Sequence, residues 1–141
     1  MRRRTLLAAL GALFLAGAVP VASEGSPEKA AEAAARSWLG LVDAGEYGES
    51  WDAAASAFRA AITQSQWEAT LDQVRRPLGK VLSRTLHSAT FTTELPKAPP
   101  GDYVVLEFDT SFENRRSAGE RVTPMKEKDG SWKVSGYFFV R

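Results

Sequence analysis

The sequence predicts an α+β domain in which three N-terminal helices pack on one face of a four-stranded antiparallel meander sheet. Two observations predict this class. Apolar residues recur at three-and-four spacing through residues 27–74, as on one face of a helix. From Val81 onward they alternate with polar residues, as in half-buried strands. Because helices come first and strands follow, a two-layer arrangement is expected, with the helices in one layer and the sheet in the other.

Residues 1–23 have the features of an export signal. Arg2 to Arg4 form a positively charged segment, and the apolar run from Leu6 to Val19 is followed by small residues. That run is shorter than the roughly 20 residues that a membrane span needs. We therefore expect signal cleavage and a single mature domain of residues 24–141. It would be exported, periplasmic or extracellular, and without a stable membrane span.

Composition argues against several functional classes. Without Arg2 to Arg4, fifteen basic residues face seventeen acidic ones, so the mature chain has no basic bias and nucleic acid is not an expected partner. The chain has no cysteine and one histidine, which argues against disulfides, thiol chemistry and the common metal sites. No cofactor or metal is expected. Neither a Gly-x-Ser-x-Gly elbow nor a glycine-rich phosphate loop is present.

The helical half contains clear start and stop signals. Ser26-Pro27 is a typical helix start, and Gly45 is suited to end this first helix after about Ala44. A second helix is predicted from Tyr47 to Ile62. A capping box at Thr63 or at Ser65 predicts a third helix, which ends before Pro77.

Four strands are predicted in the second half. They span Val81 to Thr93, Asp102 to Glu113, about Gly119 to Lys128, and Trp132 to Val140. Residues 95–101 are a proline-rich loop, residues 114–118 a turn, and residues 129–130 a hairpin turn. Pro124 indicates an edge position or a bulge. The predicted buried positions of the second and fourth strands are Val104, Leu106, Phe108 and Phe112, and Trp132, Val134, Phe138 and Val140.

Two groups of side chains are candidates for ligand binding. Arg75, Arg76 and Arg84 flank a predicted turn, and their guanidinium groups suit a carboxylate or phosphate. The alternative is pairing with Glu68, Asp72 or helix carbonyl groups. Aromatic residues could line a pocket, although most aromatic residues at these spacings belong to the core. The candidate ligand-binding residues are Tyr47, Trp51, Arg75, Arg84 and Tyr103.

Catalytic roles are weakly indicated. His87 with a nearby carboxylate could act as a general base, but a lone strand histidine is usually structural. Glu107 and Asp109 project from the same strand face, where carboxylates are commonly solvated. No catalytic residue is therefore assigned.

An ordered set of motifs carries a family resemblance. It comprises Trp38, DAGEYGESWDAAASAFR, Trp67, VRRPLG, Arg84, LPKAPPGDYVVLEF and the terminal DGSWKVSGYFF. Together they resemble the uncharacterised secreted family called domain of unknown function 4019. The resemblance implies a small exported α+β domain similar to nuclear-transport-factor-2 and cystatin-like folds. It supplies no catalytic residues.

Three functional hypotheses follow. The first is a non-enzymatic exported domain that binds an unknown small molecule or exported protein, through an internal cavity or an exposed strand edge. The second is a small-molecule enzyme that uses His87 and a carboxylate. The third is an assembly subunit, for example a homodimer. An apolar outer patch would favour interaction, whereas a cavity containing His87 and an acid would favour the enzyme.

Overall fold

The computed structural model describes residues 25–140, which form four helices and one four-stranded sheet. All neighbouring strands are antiparallel, in the order β1-β2-β3-β4, so the predicted α+β meander is confirmed. The predicted signal segment, residues 1–23, lies outside the described residues. Within residues 25–140, no helix is both long and apolar enough to cross a membrane. The elements are α1 (Pro27–Asp43), α2 (Tyr47–Asp52), α3 (Ser56–Ala61), α4 (Gln64–Val74), a 3₁₀ turn (Arg76–Leu78), β1 (Val81–Thr92), β2 (Tyr103–Phe112), β3 (Arg115–Lys126) and β4 (Trp132–Phe139).

The ends of α1 and α4 follow their sequence signals. The Ser26 hydroxyl accepts a hydrogen bond from the Lys29 amide, and Gly45 follows α1 with a φ of 78°. At α4 the structure selects the capping box at Thr63, in which Thr63 and Gln66 each accept from the other's backbone amide. These local bonds satisfy backbone donors that a helix start otherwise leaves unpaired.

The predicted continuous helix from Tyr47 to Ile62 is wrong. It is interrupted after Asp52, and α3 begins at Ser56. At the break, the Ala55 amide donates to the Val134 carbonyl oxygen of β4 at 2.8 Å. The Glu127 carboxylate then accepts from the Ser56 amide at 2.8 Å, at the start of α3. Tertiary hydrogen bonds thus replace intrahelical ones in an alanine-rich segment that contains no local breaker.

An aromatic core joins the helices to the sheet. The Trp38 ring lies 6.1 Å from that of Trp67 and 5.5 Å from that of Tyr137, measured between centroids. Both indole N–H groups donate to Ser50, one to its carbonyl oxygen and one to its hydroxyl. The polar atoms of these aromatic residues are therefore satisfied inside the core, as burial requires.

The sheet follows the predicted pattern in β2 but not at the start of β3. Val104, Leu106, Phe108 and Phe112 are fully buried, as predicted. The predicted turn over residues 114–118 is shorter than expected, because β3 already begins at Arg115. Its N-terminal residues are charged and exposed, so they do not show the apolar alternation by which a strand is recognised.

A β-bulge reverses the faces of β4. The register between β3 and β4 shifts between Thr123 and Pro124, so Ser135 has no partner across the ladder. Val134 precedes this shift and is buried, as predicted. Beyond it, Tyr137 is buried whereas Phe138 is 63% exposed, which contradicts the predicted burial of Phe138. Pro124 therefore lies at a bulge, one of the two alternatives that the sequence indicated, and one extra residue in β4 turns an aromatic side chain outward.

The turn between α4 and β1 is held by the β2–β3 hairpin. The Lys80 amide donates to Glu113 at 2.7 Å, and the Asn114 amide donates to the Leu78 carbonyl oxygen at 2.9 Å. Gly79 lies here with φ 76° and ψ −159°, a region that is essentially restricted to glycine. A Cβ atom at this position would lie 3.0 Å from Glu113.

Alanine substitutions at two glycines should have opposite effects. Gly79→Ala should lower the free energy of unfolding by about 1–3 kcal/mol, because of the backbone conformation and the Glu113 contact. Gly40→Ala, within α1 and with open space around its Cβ position, should raise it by about 0.5–1 kcal/mol. Urea unfolding of both variants measures this. Equal effects would show that Gly79 is not constrained.

Candidate functional site

A cluster of polar and charged side chains lies between the helices and the sheet. Each strand contributes one member, and two more come from the end of α1 and the residue after α4. The arginine–carboxylate cluster comprises Asp43, Arg75, Arg84, Thr110, Glu120 and Tyr137.

Glu120 is the central acceptor of this cluster and is fully buried. Its carboxylate accepts from Arg84 Nε at 2.8 Å, from the Thr110 hydroxyl at 2.5 Å and from the Tyr137 hydroxyl. A buried carboxylate is tolerated only when charge and hydrogen bonds compensate for the lost water. Arg84 supplies the charge, while Thr110 and Tyr137 supply further donors.

Asp43 connects this group to Arg75. Its carboxylate accepts from Arg84 at 2.7 and 3.1 Å and from Arg75 Nη2 at 2.5 Å, so one carboxylate serves two guanidinium groups. Arg75 also lies over the Phe112 ring, 4.6 Å from its centroid. The cluster thereby links the end of α1 with the residue after α4 and with β1.

The surroundings shift two pKa values within the cluster. Burial, together with the Glu120 carboxylate, raises the pKa of the Tyr137 hydroxyl well above its usual value. Burial alone would lower the pKa of Arg84, but its bonds to Asp43 and Glu120 raise it on balance. Tyr137 is therefore a neutral donor and Arg84 a permanent cation.

Two of the five predicted ligand-binding residues, Arg75 and Arg84, belong to this cluster, and a third, Tyr47, lines a cleft beside it. Arg75 and Arg84 meet on Asp43, and Tyr47 lines the same small cleft as Arg75. This arginine cleft has a volume of about 230 Å³. Arg76 pairs with Asp72 at 2.7 Å, which is one of the pairings expected from sequence. The cleft is lined by Val42, Asp43, Ala44, Gly45, Tyr47, Arg75, Arg76, Gly79, Lys80 and Glu113.

The other two predicted residues lie elsewhere. The Trp51 indole N–H donates to the Ile62 carbonyl oxygen at 2.8 Å, which ties α2 to the end of α3. Tyr103 is buried in a second apolar cluster with Ala55 and Met125, and its hydroxyl donates to the Pro99 carbonyl oxygen at 2.6 Å. Each side chain therefore has a structural contact.

His87 lies near a carboxylate but on an exposed surface. Its Nδ1 atom is 3.4 Å from Asp109 Oδ2, and both side chains are 55% exposed. Neighbouring Glu107 pairs with Arg121 at 2.8 Å. Among residues 25–140, no group of three or more His, Asp or Glu side chains is arranged to hold a metal ion.

Two apolar clefts border β4, and Phe138 lines both. The first, the α4 cleft, has a volume of about 370 Å³, and the second, the loop cleft, about 340 Å³. The α4 cleft is lined by Trp67, Thr70, Leu71, Val74, Tyr137, Phe138 and Phe139. The loop cleft is lined by Ala57, Phe58, Ala61, Leu95, Lys97, Ala98, Pro99, Tyr103, Thr123, Met125, Ser135, Gly136 and Phe138.

Sequence reasoning missed Asp43, Glu120 and Phe138. For Glu120 a sequence signal existed, since it lies two residues from both Ala118 and Val122 and so faces the same side of the sheet as these buried residues. A carboxylate in a run of core positions implies a buried partner. Asp43 at the end of a helix carries no comparable signal.

Removal of the buried negative charge of Glu120 should destabilise the protein strongly. Glu120→Gln should reduce the free energy of unfolding by about 3–5 kcal/mol, because Arg84 would lose its buried partner. The matched substitution Glu107→Gln removes a more exposed arginine partner and should cost about 1 kcal/mol or less. Urea unfolding compares the two variants. Similar losses would show that Glu120 does not compensate Arg84.

Stability should fall at alkaline pH through Tyr137. An unfolded tyrosine has a pKa of about 10, and the folded pKa of Tyr137 is higher. Its contribution is therefore complete below pH ~10 and is lost as the pH rises toward the folded pKa. Between pH 9 and 11, the free energy of unfolding of the unmodified protein should fall by about 1 kcal/mol more than that of the Tyr137→Phe variant. Parallel urea-unfolding losses in both proteins would contradict this assignment.

The comparison with known families agrees with the resemblance seen in the sequence. A search among curated proteins finds no match. The family described as protein of unknown function (DUF4019) matches residues 34–137, which include every helix and strand of the domain in whole or in part. The chain therefore belongs to the DUF4019 family.

Proposed function

We propose that the protein is an exported, non-enzymatic interaction domain that binds an extended apolar segment of another exported protein along β4. The observation that carries this proposal is Phe138, a largely exposed aromatic residue on an edge strand between two apolar clefts. An exposed strand edge offers backbone hydrogen bonds, and pockets beside it select side chains.

We expect the two clefts to receive neighbouring side chains of the partner, because Phe138 lines both of them. Side chains of an extended segment alternate between opposite directions, so neighbouring residues can enter different clefts. Val74, 42% exposed, extends the apolar surface on the α4 side. The partner segment is therefore expected to carry large apolar residues at adjacent positions.

The charge of the cleft lining further restricts which partner segments fit. Among residues 25–140, Lys97 is the only charged residue that lines either cleft. A basic segment would gain nothing there, whereas an apolar segment with neutral or acidic flanks would be compatible with Lys97. Such a partner is a protein or peptide and not a nucleic acid.

The enzyme alternative has less support. His87 and Asp109 are near each other, but both are about half exposed. His87 lines none of the clefts described above, while Asp109 lines a polar cleft of about 230 Å³ with Ser83 and Arg116. Catalytic groups need a pocket that orients a substrate and limits the access of water.

A peptide selection tests the proposal. Random peptides displayed on phage should be enriched on the purified protein and should share adjacent apolar residues. Phe138→Ser should weaken binding of the selected peptide by about 10-fold or more, because a central aromatic anchor commonly contributes ~2 kcal/mol to the binding free energy. Its effect on stability should remain within about 0.5 kcal/mol, since the side chain is exposed.

Leu82→Ser is the matched control. Leu82 is also a largely exposed apolar residue on an edge strand, but it belongs to β1. Peptide affinity should be unchanged in this variant. The proposal fails if no peptide is enriched or if Leu82→Ser weakens binding as much as Phe138→Ser. It also fails if the protein is a dimer that Phe138→Ser converts to a monomer, because β4 would then be a self-association surface.

A further inference from the structure

Arg75 has more hydrogen-bond donors than the described residues satisfy. Its side chain is 3% exposed, yet among residues 25–140 only Nη2 has a carboxylate partner, and the buried Nε has no acceptor. A guanidinium group carries five N–H donors, and a buried donor without an acceptor costs roughly 1–3 kcal/mol. Asp43 cannot compensate fully, because its carboxylate also binds Arg84. Arg75 therefore keeps hydrogen-bonding capacity that its partners among residues 25–140 do not use.

The arginine cleft adjoins Arg75 and offers space for a small hydrogen-bond acceptor. Arg75, Arg76 and Lys80 line it, against the carboxylates of Asp43 and Glu113. These three cations and two carboxylates leave a formal excess of one positive charge in the lining, and Arg76 also pairs with Asp72 outside it. Glu113, one of the two carboxylates, also accepts a hydrogen bond from the Lys80 backbone amide at 2.7 Å.

We propose that the arginine cleft binds a small oxyanion, a carboxylate or phosphate group, that accepts hydrogen bonds from the N–H groups of Arg75. Guanidinium groups bind such anions through charge-assisted and commonly bidentate hydrogen bonds. The cleft volume of about 230 Å³ is below the ~300–1,000 Å³ of sites for drug-sized ligands. The ligand is thus a small acid or a single anionic group of a larger molecule.

This site is separate from the β4 surface. The arginine cleft shares no lining residue with the α4 cleft or the loop cleft. Oxyanion binding does not therefore depend on the peptide interaction, and either proposal can fail without the other.

Nuclear magnetic resonance can observe the proposed contact directly. The Nε–Hε resonance of Arg75 in ¹⁵N-labelled protein is followed during separate titrations with inorganic phosphate and succinate. At least one anion should give saturable shifts with a Kd of about 1 mM or tighter. Saturation by phosphate alone assigns a phosphate ligand, and saturation by succinate alone assigns a carboxylate ligand.

Variants at the rim test specificity without disturbing the interior. Arg76 and Lys80 are exposed, so Arg76→Gln and Lys80→Gln should fold normally, and each should weaken binding about 3- to 5-fold. Arg36→Gln is the control, because Arg36 is an exposed cation paired with Glu32 on α1 outside the cleft. Its affinity for the anion should equal that of the unmodified protein.

Two outcomes would overturn the inference. If neither anion gives a saturable shift of the Arg75 resonance, the cleft is not an oxyanion site and Arg75 is purely structural. If Arg36→Gln weakens binding as much as the rim variants, the shifts report general electrostatic attraction to the protein surface.

Discussion

The buried pair of Arg84 and Glu120 is the interaction on which the arrangement of the domain depends. Apolar packing supplies most of the free energy of folding, but it is non-directional and tolerates small displacements. The Glu120 carboxylate instead requires donors from β1, β2 and β4 at hydrogen-bond distance. If one strand shifted by a residue, a buried charge or hydroxyl would lose its partner. The pair thereby favours one register of the whole sheet.

The same cluster fixes the helices relative to the sheet. Arg84 reaches Asp43 at the end of α1, and Asp43 reaches Arg75 directly after α4. The α4–β1 turn is held independently by the β2–β3 hairpin. Arg75 is therefore positioned from both sides, which explains how an incompletely paired guanidinium group can be held beside a cleft. A flexible arginine would instead turn its free donors to solvent.

Much of the fold is readable from local sequence, because its signals are local. Ser26 and Thr63 cap helices through bonds within their own turns, and the alternation in β2 directly reports its buried face. The break between α2 and α3 is not readable, since it depends on Val134 and Glu127, which are distant in sequence. Pro124 indicates an edge position or a bulge, but the exposure of Phe138 depends on which residue of β4 is left without a partner in β3.

The candidate sites, like the fold, can be predicted from the sequence only in part. Arg75 and Arg84 were recognisable as a pair because a short turn separates α4 from β1, so the two residues had to be near each other. Their common acceptor could not be identified, because Asp43 is brought to them only by the packing of α1. For Tyr103, apolar character alone left pocket and core as alternatives. It is buried in a core cluster and also lines the loop cleft.

The bulge and the buried cluster have complementary consequences for the surface. The cluster holds β4 in register through Tyr137, while the bulge directs the adjacent Phe138 outward. An exposed aromatic residue on an edge strand exposes a protein to aggregation unless the edge has a partner. If a partner pairs with β4 as proposed, the hydrogen bond of Tyr137 to Glu120 lowers the conformational entropy that is lost on pairing. On that proposal, the buried Tyr137 orders the residues next to Phe138 before a partner binds.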